Sequence, residues 1–102
     1  LIENPEHNIY ISIASIWEMA IKVSLEKLQL SLPYNKFIDT QLETNVLKLL
    51  DVQIHHAALI ASLPFYHRDP FDRMIIAQSQ SELIPIIGKD EVFDRYNVIR
   101  HW

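Results

Sequence analysis

Three acidic side chains carry the chemistry open to this chain: Glu18, Asp72 and Asp90. Glu18 and Asp90 each follow directly on an expected strand, at the start of the next helix. Asp72 also starts a helix, after a longer loop. In a parallel α/β sheet such positions converge at the carboxyl edge of the strands, where ligands bind. Three carboxylates drawn together there repel and raise one another's pKa. A divalent cation resolves that conflict. Magnesium accepts a few carboxylates, keeps waters, and leaves positions open for phosphate oxygens. The strongest local signal is His67-Arg68-Asp69-Pro70-Phe71-Asp72-Arg73, which reads as a loop turning into a helix. Asp69 suits the N-cap and Pro70 the first helical position. Asp72 then lies at the third position, near the positive end of the helix dipole. The competing reading makes Asp72 no more than a short capping-box partner of Asp69.

Composition limits what those acids can belong to. The chain has 102 residues, one small domain with a single core, and nearly half of them are apolar. There is no cysteine, so neither a disulfide framework nor a thiolate metal site is available, which is compatible with a reducing cytoplasm. One glycine, Gly88, excludes the glycine-rich phosphate loops of nucleotide and dinucleotide binders. The five histidines show no HExxH or similar ligand spacing. A formal charge of −4 argues against a nonspecific nucleic-acid coat, though not against a nuclease whose carboxylates hold metal. No apolar run approaches the length of a membrane span, and no signal peptide is visible. The chain opens at Leu1 on a polar stretch and reads as a piece whose beginning is missing.

Alternating strands and helices position the acids. Asn4-Pro5 marks a turn or the end of an earlier helix. Ile9 to Ala14 is β-branched and reads as a strand. Ser15-x-x-Glu18 is a capping box opening a helix to about Lys27, with Trp17, Ala20, Ile21, Ser24, Leu25 and Leu28 on one face. Glu18 and Lys22 are spaced for a surface ion pair. Pro33 begins a second helix with Phe37, Ile38 and Leu42 as its stripe. Val46 to Val52 is a buried strand or a helix; its period does not decide. A helix over Ile54 to Ser62 ends at Leu63-Pro64. The helix over Pro70 to about Glu82, a strand at Ile84 to Ile87, a short helix over Glu91 to Tyr96 capped by Asp90, and a strand at Val98 to His101 complete the chain. This is a parallel sheet with helices on its faces.

The segment Ser12-Ile13-Ala14-Ser15-Ile16-Trp17-Glu18-Met19-Ala20-Ile21-Lys22, the His67 to Arg73 stretch after Leu63-Pro64, and Gly88-Lys89-Asp90-Glu91-Val92-Phe93 together resemble the PIN-domain ribonucleases, most closely the VapC-type toxins of toxin–antitoxin pairs. The resemblance covers nearly the whole chain, taken as one PIN-like domain over residues 1–102. It implies a three-layer α/β fold and a metal-dependent endoribonuclease. Glu18, Asp72 and Asp90 would hold Mg²⁺ or Mn²⁺, activating water against an RNA phosphodiester. It also implies a cognate antitoxin, a homodimer and a cytoplasmic setting. Lys22, Arg68 and Arg73 are candidate RNA contacts, with solvated surface charge as the preferred reading of each. Asp69 is a cap rather than a ligand, His67 a loop hydrogen-bonder rather than a general base, and Trp17 and Phe71 are core residues.

Two departures stand out. The family begins with a strand ending in aspartate, central in the order 3-2-1-4-5, and that strand and most of the first helix are missing here. Glu3 and Glu6, in a polar turn, cannot replace it. The strands at Ile9 and Ile84 would then face each other across a gap with unpaired edges. Gly88 stands where the family usually has a threonine or serine hydroxyl. The alternative function is a truncated, catalytically inactive module that retains antitoxin-binding or dimerisation surfaces. A phospho-acceptor receiver domain ranks last, because no acceptor aspartate ends a central strand.

Overall fold

The computed structural model describes residues 2–3, 9–43 and 47–101. Its elements are β1 (Ile2–Glu3), β2 (Ile9–Ser12), α1 (Ile13–Ser24), α2 (Tyr34–Glu43), β3 (Lys48–Leu50), α3 (Ile54–Ile60), α4 (Pro70–Glu82), β4 (Ile86–Ile87), a 3₁₀ helix (Glu91–Arg95) and β5 (Arg100–His101). The strands form one sheet in the order β3-β2-β1-β4-β5.

β2 pairs with β3 in parallel, and β4 with β5. β1 is antiparallel to both β2 and β4. The other four strands therefore share one direction, and all their carboxyl ends reach the same edge. The fold is the α/β arrangement expected, with one correction at its centre. Ile2–Glu3 occupies the position expected to be missing, pairing Ile2 with both Tyr10 and Ile86. The polar-turn reading of Glu3 does not hold, and neither does the gap between two unpaired edges. The Asn4-Pro5 turn and Glu6 lie outside the described residues.

Local chemistry explains most element boundaries. Asp69 caps α4, its carboxylate accepting from the Asp72 amide at 2.9 Å, with Pro70 directly inside the helix. Asp90 caps the 3₁₀ helix by accepting from Val92 N at 3.0 Å. α1 begins one turn earlier than its expected Ser15 box: Ser12 is the cap, accepting from Ala14 N at 3.0 Å. The sheet decides between the two serines, because β2 ends at Ser12, opposite Leu50 at the end of β3. The same pairing settles residues 48–50 as strand; Val46 lies outside the described residues.

The core gathers Ile75 and Ile76 of α4, Ile86 of β4, Leu63, Phe93 and Tyr96, with Tyr10, Leu50 and Val98 packed against it. α1 is less buried than its pattern implies. Ala14 is buried, but Trp17 is 63% and Leu25 57% exposed. Trp17 is thus a correction to the core expectation. It stands on the open side of an apolar groove that also contains Ile13, Val52, Phe71 and Met74. Among the described residues, no helix is long and apolar enough to cross a membrane.

Candidate active site

Because β2 and β4 run the same way, the elements that follow them start at one edge of the sheet. Asp90 comes to that edge on the cap of the 3₁₀ helix, whereas Glu18 lies in the second turn of α1 and not at the helix start expected, because the helix begins at Ile13. Asp72 arrives in the first turn of α4, which packs against α1. An edge-to-face contact between Trp17 and Phe71, centroids 5.1 Å apart, holds the two helix starts together. Each of those rings directly precedes a site acid in the chain.

Asp72 and Asp90 meet through a histidine. His67 Nε2 lies 3.0 Å from Asp72 Oδ2 and 3.0 Å from Asp90 Oδ2. One oxygen of each aspartate and one ring nitrogen of His67 fall within 4.8 Å of one another. Glu18 stands outside that tight group, but its charge reaches Asp72. Burial raises the Asp72 carboxyl above its usual range, Asp69, Glu18 and Asp90 add to the rise, and His67 opposes it. The acids therefore form one electrostatic group, in which Glu18 acts on Asp72 from outside the His67, Asp72 and Asp90 cluster.

The capping-box reading of Asp72 fails on a specific hydrogen bond. In such a box the Asp72 carboxylate would accept from the Asp69 amide. That amide instead donates to His67 Nδ1 at 3.2 Å. The Asp72 carboxylate faces the site, where His67 meets it. His67 is the functional candidate that sequence reasoning under-read as a loop residue. No local pattern marks it beyond its place two residues before the cap.

The loop that presents His67 is tied down from two sides. Tyr96 hydroxyl donates to Pro64 O at 2.6 Å and accepts from His67 N at 2.8 Å. Arg73 is 5% exposed, and its guanidinium donates to the carbonyls of Ile60, Leu63, Pro64 and His67. Phe65 covers it at 4.0 Å. Neither the phosphate contact nor the solvated-charge reading suits Arg73, which is a buried clamp for the 60–67 loop. Lys22 lies 3.7 Å from Glu18 on exposed helix surface, and Arg68 is exposed beside the site.

A second His/Glu group lies away from this edge. His56 is fully buried; its Nδ1 accepts from Gln53 N at 2.9 Å, and its Nε2 lies 2.8 Å from Glu82 Oε1. His55 Nε2 reaches the same oxygen at 3.1 Å. With Nδ1 accepting, the ring hydrogen of His56 sits on Nε2 and donates to Glu82. That leaves no lone pair for a metal there. Hydrogen bonds from His56 and then His55 hold the Glu82 carboxyl below its usual range. The group staples α3 to the end of α4.

Gly88 leaves room for a side chain: an added Cβ would meet the Phe93 ring at 3.7 Å, ordinary contact. The structure thus shows no steric demand for glycine beside Asp90.

Comparison with known proteins gives one match. No curated protein and no solved structure matches the chain. The family model of the PIN domain matches residues 1–99.

Proposed function

The chain belongs to the PIN-domain family, a membership that points to nuclease chemistry, and on that premise we propose a metal-dependent endoribonuclease acting as the toxin of a toxin–antitoxin pair. The observation that carries the reading is the convergence of Asp72 and Asp90 around one point, with Glu18 close enough to add to the raised pKa of Asp72. An all-carboxylate donor set at a half-open edge fits a hard divalent cation such as Mg²⁺ or Mn²⁺. When bound, such a cation supplies an activated water and neutralises charge on the phosphate under attack.

The chain's own groups supply the rest. Asp72 and Asp90 would each offer an oxygen, these lying within 4.8 Å of each other, and Glu18 would offer a third from α1. Arg68, exposed and next to His67 in the chain, would meet RNA phosphates, and Lys22 would do so by leaving Glu18. Asp69 acts by fixing the first turn of α4, not by ligation. The cognate antitoxin and a homodimer partner belong to the same proposal, as does a cytoplasmic setting. Exposed Trp17 and the apolar groove beside it support a protein partner near the site. That groove also favours the second reading, an inactive interaction module.

Incubation of single-stranded RNA with the protein and Mg²⁺ or Mn²⁺ tests the assignment. Cleavage is expected, abolished by EDTA and by Asp72→Asn with the fold retained. Cleavage that survives Asp72→Asn would overturn it. A protein that binds no Mn²⁺, cuts no RNA and still forms a defined complex fits the module instead.

A further inference from the structure

We propose that His67 is a latch: its ring holds Asp72 and Asp90 together until a divalent cation takes its place, and it is not itself a ligand. The inference rests on the reading of those aspartates as cation-binding, and goes beyond it by giving a role to a residue that reading leaves out.

The direction of the ring hydrogens carries the argument. His67 Nδ1 accepts from the Asp69 amide at 3.2 Å, so it presents a lone pair and the ring hydrogen resides on Nε2. Nε2 lies 3.0 Å from an oxygen of each aspartate; its hydrogen bond goes to Asp90 Oδ2, with Asp72 Oδ2 held close beside it. A ring in this tautomer has no lone pair to give a cation at Nε2. To offer one, the hydrogen would have to move to Nδ1, where it would face the Asp69 N–H head-on. The cap of α4 therefore selects the donor form, which suits two carboxylates and excludes ligation.

The ring nitrogen stands 3.0 Å from both Oδ2 atoms, so it would compete with a cation that Asp72 and Asp90 were to hold. The His67 backbone is fixed, its amide on Tyr96 and its carbonyl on Arg73. Exchange therefore takes place by rotation of the side chain, with the loop in place. The ring is 14% exposed and tilted against Phe93 at 5.6 Å, so leaving forfeits a packing contact, the hydrogen bond to Asp90 and the close approach to Asp72. Those losses weaken cation binding. In return the aspartates stay paired in the metal-free protein.

A ligand and a latch predict opposite signs. Mn²⁺ affinity is measured on the full chain by the electron paramagnetic resonance signal of the free ion, for the unsubstituted protein, His67→Ala and Asp72→Asn. A latch predicts about tenfold tighter binding in His67→Ala, since it no longer gives up a hydrogen bond to a charged group. Weaker or unchanged binding overturns the proposal. If the unsubstituted protein and both variants bind no Mn²⁺, the cation reading itself has failed, and the latch with it. An imidazole ¹⁵N spectrum of the unsubstituted protein with and without Mg²⁺ needs no variant to fold. The His67 hydrogen is expected to stay on Nε2 while its environment changes. Its transfer to Nδ1 on adding Mg²⁺ would show a ligand and overturn the latch.

Discussion

At the scale of single residues, the site places function against stability. Asp72 binds a proton more readily in the folded protein than in the unfolded chain, because burial and neighbouring carboxylates oppose its charge. The folded state is therefore penalised progressively as pH rises above the ordinary aspartate value of 3.8, and the penalty is complete above the raised folded value. Asp72→Asn keeps the shape of the side chain and removes the charge. We expect its melting temperature to exceed that of the unsubstituted protein by about 4 °C near pH 7. The difference should vanish near pH 3, where both states carry the proton. A gain that persists in acid would place its origin elsewhere. Neighbouring Arg73 shows the opposite economy of charge: a cation expected at the surface is buried and donates to four carbonyls of the 60–67 loop.

Among the elements, α4 is the best anchored and was the most legible. Its limits follow from Asp69 and Pro70, whose effect needs no distant partner. α1 was legible as a helix but not in its start, since Ser12 and Ser15 both suit a cap and only pairing with β3 chooses between them. Burial on α1 was less legible still. Helical spacing groups Trp17 with Leu25, but spacing does not reveal which faces have a neighbour. Asp90 could be singled out from its position after a strand and Asp72 from its place at a helix start; His67 could not, because its role depends on two aspartates brought in by other elements. The α3–α4 staple was equally hidden, yet it makes a clear prediction. Glu82→Ala leaves the fully buried His56 N–H without an acceptor and should cost about 1–3 kcal/mol in denaturant unfolding near pH 7. Glu82→Gln, which keeps an acceptor, should cost less. Because the Glu82 carboxyl is held below its ordinary value of 4.5, its contribution is present above that pH and fades as acid drives protons onto it.

On the scale of the whole molecule, a cation at the site would join α1, α4 and the 3₁₀ helix through their side chains. At about a hundred times its Kd it would add about 2.7 kcal/mol to stability. Thermal unfolding should therefore shift upward with Mg²⁺ or Mn²⁺ and lose that shift in Asp72→Asn; equal shifts in both would argue that binding occurs elsewhere. The sheet adds a mechanical aspect. β2 leads into the helix that carries Glu18, β4 leads to Asp90, and within the sheet these strands are joined through the two residues of β1. β1 is thus the splice between the strand that feeds Glu18 and the strand that feeds Asp90, and loss of its pairing with Tyr10 and Ile86 would leave those two strands without a shared ladder.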